Sequence, residues 1–441
     1  MTVDQARRPG EGAGAAGMGR SLAALDGLNF FLADVQSGLG PFLGIYLLTV
    51  PGWNPAGIGL VLTVGGIVGL FVQTPIGALI DRTRRKRTLI IIAAGLTSVG
   101  AFMITITPSY AVITTAQVVT GMAGAVFPPA IAAIALGLVG VRNYTYRTGR
   151  MAAFNHAGNV IGATIAGLAG YLITIRAGFW FASIVAIFVV ITTLLINRKL
   201  INHDVARGLT PRDVAKAYAG GVGKPSGFTV LLRSRPLVVL SAAGLLWQLA
   251  NAAMLPIMGQ KLALHHAGQG TLFQAALIIV AQLVMIPMAI LIARRADRGR
   301  KTIFLAAFLV LPIRGVLFTL SNNPAYLIAI QILDGVGAGI FGAMFTLVVA
   351  DLTRGTGRFN LALGAATTIQ GAGAALSTTL AGAIIVAGGF DLALLSLTAI
   401  AVLALLVFIL GVPETAAVGH NGRPPSPDHR TDTWTVPGQG Q

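Results

Sequence analysis

Residues 77–87 read GALIDRTRRKR, and residues 294–301 read RRADRGRK. Each stretch is a short charged segment between two long apolar runs, and the second lies about half a chain after the first. In both stretches an aspartate, Asp81 or Asp297, is followed by an arginine and by further basic residues. This recurrence predicts a chain of two similar halves, as in membrane proteins built from internal repeats.

The composition places most of the chain in lipid. Hydrophobic residues make up 55% of the sequence and charged residues only 10%, whereas a soluble domain carries about 25% charged residues. The 56 glycines suit the close helix packing of membrane proteins. The chain has no cysteine, which excludes disulfides, thiolate metal sites and thiol nucleophiles.

Twelve apolar runs have the length of a membrane-spanning helix, which needs roughly 20 residues. They are continuously apolar and too long for barrel strands, so we predict helices. Six runs precede a polar central stretch and six follow it: 21–49, 56–80, 88–107, 110–139, 150–175, 177–197, 236–261, 270–293, 302–321, 324–351, 361–387 and 391–412.

The basic residues predict the orientation of these spans, because Lys and Arg collect on the cytoplasmic side. Of the 31 Lys and Arg residues, Arg176 and Lys261 fall on one side, Arg314 lies within a span, and all the others lie on the opposite side. Both termini are therefore expected in the cytoplasm, and the net charge of +17 is a topology signal rather than evidence for a nucleic-acid partner. The predicted organisation is an N-tail (1–20), a six-helix bundle (21–197), a cytoplasmic linker (198–235), a second bundle (236–412) and a disordered tail (413–441).

Two further pairs of segments support the internal duplication. Residues 121–127, GMAGAVF, parallel residues 335–341, GVGAGIF. Thr-Gly-Arg precedes span five at residues 148–150 and precedes span eleven at residues 356–358. All three pairs occur in the same order, so the two halves are expected to share one topology.

With these repeats and twelve spans, the chain resembles a transporter of the major facilitator superfamily. The superfamily signature between spans two and three is Gly, three residues, Asp-Arg, one residue, Gly and two basic residues. Gly77, Asp81, Arg82, Arg85 and Lys86 match it, and Arg84 stands where the second Gly is usual. The resemblance implies an all-α membrane protein with twelve transmembrane helices in two pseudo-symmetric six-helix bundles.

The resemblance also implies that the charged segments form a cytoplasmic latch between the halves. We expect Asp81 to meet the start of span eleven near Arg358, and Asp297 to meet the start of span five near Arg150, because helix N-termini attract anions. The alternative is that these segments only prevent translocation of their loops. The complete set of predicted latch residues is Gly77, Asp81, Arg82, Arg85, Arg150, Asp297, Arg298 and Arg358.

Three ionisable residues lie well inside spans, where charge is expensive and functional residues are common. Asp34 lies near the middle of span one, and protonation would cancel its charge so that it could pass between two access states. Asp334 in span ten and Arg314 in span nine are expected to pair. We predict that all three take part in proton coupling. The alternatives are a hydrogen-bonded structural role for Asp34 and a fixed ion pair for the other two.

Uncharged polar residues within the spans predict the substrate cavity. Amides with nearby aromatic and Met side chains suit a mostly apolar or neutral organic ligand, although helix packing also uses amides. The candidates are Asn29, Gln36, Gln117, Asn155, Trp247, Gln248, Asn251 and Gln370.

Span five partly resembles the motif of the drug:proton antiporters, Gly-Pro, two residues, Gly-Gly. Gly158 and Gly162 match, whereas Asn159 replaces Pro and Ala163 replaces Gly. These antiporters commonly have Arg at the position of Gln117, so two hypotheses stay open: proton-coupled export of a small hydrophobic or neutral compound, and proton-symport import of a metabolite.

Other function classes have less support in the sequence. A non-transporting membrane sensor would need a signalling domain, and neither the linker nor the tail resembles one. No P-loop motif is present, and no His pair with metal-ligand spacing lies in a span, so we expect neither an enzyme nor a cofactor. The expected protein is a monomer in the cytoplasmic membrane whose partners are a small-molecule substrate, protons and the lipid bilayer.

Overall fold

The computed structural model describes residues 11–37, 39–207, 234–266, 268–295, 299–353 and 359–415, and within them every long element is an α-helix. The helices lie along the predicted apolar runs, but α1 begins at Glu11, inside the predicted N-tail, and the first, fourth and seventh runs are each divided between two helices. The first half contains α1 (Glu11–Ser37), α2 (Leu39–Leu48), α3 (Pro55–Arg82), α4 (Lys86–Ile106), α5 (Tyr110–Gly124), α6 (Phe127–Leu172) and α7 (Ala177–Leu195). The second half contains α8 (Arg235–Asn251), α9 (Met254–His265), α10 (Gly270–Arg295), α11 (Arg300–Leu317), α12 (Pro324–Leu352) and α13 (Phe359–Gly411).

The two longest helices each contain two membrane passages. Gly140 in α6 and Gly389 in α13 have φ values of 71° and 86°, a backbone region that favours glycine, and the helix is interrupted there. Gly373 packs on Leu245, and Gly411 packs on Val239. Both arms of α13 therefore lie along α8, which requires the chain to reverse direction at Gly389.

The described residues contain nine stretches that are long and apolar enough to cross a membrane. One of them, Ala362–Gly411, includes both arms of α13. The second arm of α6 and helix α11 complete the twelve passages. These two are not among the nine stretches because polar residues, such as Asn155 and Arg314, lower their apolar content. The predicted all-helical architecture with twelve spans is confirmed.

The turns between helices lie at two opposite ends of the molecule. We call the end that contains residues 83–85, Gly140 and residues 196–207 the linker end. We call the end that contains residues 49–54, 107–109, 173–176, 266, 268–269, 318–323 and Gly389 the far end. At the far end, Trp53 stacks on Tyr110 with ring centroids 3.9 Å apart and donates a hydrogen bond to the Pro108 carbonyl at 2.8 Å.

Each half has its own apolar core. The first half is packed with small and aliphatic side chains such as Leu25, Leu28 and Ile134. The second half contains an aromatic cluster in which Phe308 stacks on Phe408 at 4.3 Å and Phe341 stacks on Trp247 at 3.9 Å. Aromatic pairs of this kind contribute about 0.5–1.5 kcal/mol beyond the area they bury, so this cluster stiffens the second half.

The chain that follows α7 packs on the first half before it enters the predicted linker. Two 3-10 helices cover Arg198–Leu200 and Val205–Arg207, and Asn202 donates a backbone hydrogen bond to the Gly137 carbonyl at 2.9 Å. Residues 208–233 and 416–441 lie outside the described residues. The predicted linker and tail boundaries stay predictions.

The two halves touch closely at the far end, where α3 packs on α13. Thr63 Oγ1 donates to the Ala375 carbonyl at 2.5 Å and contacts the hydroxyl groups of Thr378 and Thr379 at 3.1 and 2.7 Å. The helix backbones approach so closely that a Cβ atom added to Gly59 would overlap the Thr378 carbonyl oxygen. Such contacts between small residues are a common way for helices to associate in lipid.

A second contact at the same end joins α6 and α10. A Cβ atom on Gly167 would overlap Ala275, and one on Gly170 would lie 2.7 Å from Thr271 Cγ2. Phe42 and Ala166 of the first half form a buried apolar cluster with Ala275 of the second. The bundles are therefore closed against each other at the far end.

We expect Gly59→Val to open this closure, because its side chain would force α3 away from α13. A cysteine introduced at Ala374, which lines a cavity of about 590 Å³ below the contact, reports the opening. The chain has no native cysteine, so an impermeant maleimide applied to the far side should label the Ala374→Cys thiol several-fold faster in the Gly59→Val background.

Gly95→Val is the matched control, since a Cβ atom added at Gly95 meets nothing within 4 Å. Equal labelling rates in the Gly59→Val and Gly95→Val backgrounds would show that the α3–α13 contact does not hold the far end closed.

Candidate functional site

Asp34 lies in α1 beside a gap that only glycine leaves open. The residue is 5% exposed, and a Cβ atom added to Gly162 of α6 would lie 2.6 Å from Asp34 Oδ1. Among the described residues, nothing donates a hydrogen bond or forms an ion pair with this carboxylate. A buried carboxylate without partners is costly in its charged form, so the group is well placed to bind a proton.

Arg314 is the largest fully buried side chain, and three helices supply its partners. Its Nη1 forms an ion pair with Asp334 Oδ1 of α12. Its Nη2 donates to Asn251 Oδ1 of α8 at 2.7 Å and lies 3.2 Å from Met254 Sδ. The ring of Phe318 lies 5.7 Å from the guanidinium carbon. The predicted pairing of Arg314 with Asp334 is therefore present in the structure.

Asp34 and this ion pair meet at one cavity between the two halves. The cavity has a volume of about 250 Å³ and is lined by both carboxylates, Asp34 and Asp334, together with Asn251. Asn159 and Gln282 also line it. His156 Nδ1 lies 2.6 Å from Gln282 Oε1, which links α6 to α10 across the interface. Acidic and amide groups of both halves thus face a common space.

A second cavity, of about 330 Å³, contains four of the residues predicted to bind substrate. It is lined by Trp247, Gln248, Asn251 and Gln370. Trp247 Nε1 donates to the Ala307 carbonyl at 3.5 Å, and its ring stacks on Phe341. The Nε2 atom of Gln370 is buried without a hydrogen-bond partner among the described residues. Because Asn251 lines both cavities, the amide-lined space and the carboxylate-lined space adjoin.

The remaining predicted substrate residues lie elsewhere. Asn29 donates to the Leu25 carbonyl of its own helix at 2.8 Å, and Asn155 donates to the Asn29 carbonyl at 3.4 Å. Gln117 lines another cavity, of about 480 Å³, with Gln73 and Thr120. The side chain of Gln36 is outside the described part of the chain. Their role in substrate binding stays a prediction.

A buried ion cluster at the linker end was not anticipated from the sequence. Asp26 forms an ion pair with Arg147, whose Nη2 lies 2.7 Å from Asp26 Oδ1, and it accepts a hydrogen bond from Arg150 Nε at 2.9 Å. The cluster joins α1 to the second arm of α6 within the first half. The sequence does show two arginines three residues apart at the start of span five. It does not show that Asp26 is their partner, because that depends on how α1 is rotated about its own axis.

The cluster bears on the predicted latch, because Arg150 contacts Asp26 here. Arg82 and Arg85 are exposed, and a Cβ atom added to Gly77 meets nothing within 4 Å. Asp297, Arg298, Arg358 and the side chain of Asp81 lie outside the described residues. The latch across the two halves remains a prediction.

Comparisons with known proteins agree with this geometry. The family model described as the Major Facilitator Superfamily matches residues 25–311 and 238–436. Two uncharacterized MFS-type transporters of Mycobacterium tuberculosis, from strains CDC 1551 and H37Rv, are each 47% identical to the chain over 399 residues. The match covers 90% of this chain and 94% of each relative. The chain therefore belongs to the major facilitator superfamily, and it is a multi-pass membrane transporter rather than an enzyme.

Solved structures support the same fold. A mutant of the nucleoside transporter NupG superposes with a TM-score of 0.71 at 14% identity, covering 88% of this chain and 99% of that one. A mutant of the peptide transporter POT in complex with sulfate superposes with a TM-score of 0.69, also at 14% identity, covering 88% of this chain and 93% of that one. At this level of identity the likeness concerns the fold alone.

We expect the Arg314–Asp334 pair to show strong coupling in a double-mutant cycle. Removal of either partner leaves an uncompensated buried charge, which costs about 3–5 kcal/mol. Arg314→Met and Asp334→Asn should therefore each lower the unfolding temperature of the detergent-solubilised protein, and the double variant should recover most of the loss. Additive losses would show that the pair contributes no mutual stabilisation.

Proposed function

We propose that this transporter is proton-coupled and that Asp34 is the group that carries the proton. The support is the position of its carboxylate, which is buried without a hydrogen-bond donor in the described residues and borders the cavity between the halves. A carboxyl group becomes neutral when protonated and can then be enclosed at low cost. A carboxylate that stays charged needs a water molecule or a cation beside it to compensate its charge.

Asp334 and Arg314 act in this proposal as the fixed counterpart of Asp34. Arg314 stays charged, because a guanidinium group is not deprotonated in proteins, and Asp334 compensates it. Both carboxylates line the same cavity. A substrate or proton that enters this space therefore changes the field around the ion pair, and the pair can respond through its hydrogen bond to Asn251.

The proposed substrate is a small hydrophobic or neutral organic compound. Trp247 and Phe341 supply an apolar wall, and Gln248, Asn251 and Gln370 supply hydrogen-bonding groups. None of the described residues that line this second cavity carries a charge. Strongly anionic compounds would find no compensating cation there, so the lining favours neutral ligands.

The proposed direction is export, with the linker end in the cytoplasm of a cell whose membrane contains the protein. The predicted basic excess at that end supports this orientation. Gln117 favours the second candidate, proton-symport import, since the related antiporters commonly have Arg at its position. The proposed latch, formed by Asp81 with Arg358 and Asp297 with Arg150, would hold the linker end closed in the other access state.

Transport in sealed inside-out membrane vesicles tests the coupling. We expect an inside-acid pH gradient to drive accumulation of a radiolabelled neutral amide such as chloramphenicol, with tetraphenylphosphonium and succinate as cationic and anionic comparisons. Asp34→Asn should abolish the gradient-driven accumulation while unlabelled compound inside the vesicles still exchanges with labelled compound outside. Right-side-out vesicles should show the same dependence, because exchange of substrate for protons follows the imposed gradient whichever way the transporter faces.

Asp204→Asn serves as the control, because Asp204 is an exposed carboxylate at the linker end. Gradient-driven accumulation by Asp34→Asn at the level of the wild type would contradict the role of Asp34. Accumulation that requires an inside-alkaline gradient in inside-out vesicles would establish import instead.

A further inference from the structure

A large groove lies apart from the central cavities, at the linker end. It has a volume of about 890 Å³ and runs between the start of α1, the start of α4 and the end of α7. Three arginines line it: Arg20, Arg87 and Arg198. The mechanism proposed above uses none of them.

The arginines of this groove lack acidic neighbours. Among the described residues, no carboxylate contributes to its lining. The nearest acid along α1, Asp26, is committed to Arg147 and Arg150. Arg198 lies close enough to Arg87 for their charges to repel. Three positively charged side chains in one groove repel one another unless a negative charge compensates them. We therefore expect the groove to bind an anion.

Arg87 is held in place by the end of α7. Its Nε donates to the Thr193 carbonyl at 2.9 Å, and its Nη2 donates to the Leu194 carbonyl at 2.7 Å. These carbonyls lie in the last turn of α7, where the regular hydrogen bonds of a helix end, and Thr193 otherwise accepts only a 3.4 Å bond from the backbone of Ile196. The two bonds fix the guanidinium group of Arg87 at the edge of the groove. Its Nη1 atom takes part in neither bond and can donate to a ligand. Arginine in this state is suited to phosphate, which its planar donors can bind in pairs.

The apolar part of the groove continues into the surface that faces lipid. Leu194 and Leu195 line it at the end of α7, and their side chains are 56% and 63% exposed. Ala23 and Ala24 of α1 form the opposite wall. A ligand with a phosphate group at the arginines and hydrocarbon along these leucines would satisfy both parts. A free phosphate ion would use only the arginines.

We propose that this groove binds the headgroup of an anionic phospholipid, with Arg20, Arg87 and Arg198 around the phosphate and the acyl chains along Leu194 and Leu195. Basic pockets between helices at the cytoplasmic surface bind acidic lipid headgroups in membrane proteins generally. Since the groove joins α1 to α7, an occupied site braces the linker end of the helix that contains Asp34.

The parts of the chain outside the described residues do not complement the groove. Residues 1–10 contain Asp4 against Arg7 and Arg8, and residues 208–233 contain one acid, Asp213, against four basic residues. Residues 416–441 contain two aspartates and two arginines. None of these segments has more acidic than basic side chains, which favours a lipid over a segment of the protein itself.

Lipid titration of the purified, delipidated full-length protein tests the site. The probes are dioleoylphosphatidylglycerol, dioleoylphosphatidylcholine with the same acyl chains, and inorganic phosphate. Bound lipids are counted by native mass spectrometry, and the unfolding temperature is followed at each concentration. We expect phosphatidylglycerol alone to bind at a saturable site and to raise the unfolding temperature.

Arg20→Gln combined with Arg198→Gln should weaken this binding by about 30-fold, the effect expected for two arginines near an anionic lipid surface. Both side chains are exposed. The control pair, Arg84→Gln with Arg295→Gln, removes the same charge from exposed positions outside the groove and should retain the affinity of the wild type. Ala23→Trp, which fills the groove at an exposed position without changing the charge, should also displace the lipid.

Equal loss of affinity in the groove pair and the control pair would overturn the proposal, because it would indicate attraction by net charge alone. Equal stabilisation by phosphatidylcholine would overturn it as well, since the headgroup charge would then be irrelevant. If inorganic phosphate at the same concentration reproduced the full effect, the site would be an anion site and not a lipid site. None of these results depends on whether Asp34 couples transport to protons.

Discussion

The cost of holding charge away from water governs the centre of this molecule. Three ionisable side chains lie deep within spans, and each meets that cost differently. Arg314 cannot lose its charge, and it is compensated by Asp334 and by a hydrogen bond to Asn251. Asp34 has no such partner in the described residues, but a carboxyl group can take up a proton. The two solutions lie side by side at one cavity, and the proposal of proton coupling rests on this arrangement.

The contacts that close the far end consist of small residues, and this suits a structure that must also open. Glycines at positions 59, 167 and 382 let helix backbones of the two halves touch directly, so separation needs little rearrangement of side chains. The closure also has a cost. Gln260 and Gln274 have buried amide atoms without partners in the described part of the chain, and buried unpaired polar groups are destabilising. Favourable packing and this penalty therefore act in opposite directions on the closed arrangement.

Basic residues at the linker end serve more than one physical purpose. Their number is expected from the rule that governs membrane orientation, but their positions are specific. Arg147 and Arg150 neutralise Asp26 inside the first half, whereas Arg87 ends α7 by binding its last carbonyls. Arginines that are predicted to orient the chain in the membrane thus also compensate a buried carboxylate and fix the end of a helix.

The sequence by itself determined the class of the fold. The thickness of a bilayer requires each spanning helix to be a long apolar run, and such a run can be recognised within one continuous segment of the chain. The sequence also showed the duplication and named the ionisable residues inside spans. Only the tertiary structure decided which polar groups meet. Asp34 shares a cavity with Asp334, Arg150 binds Asp26, and Gln117 lies apart from Trp247 and Gln370. These contacts depend on the rotation of each helix and on which end of the molecule is closed, and neither quantity can be read from the order of residues along one chain.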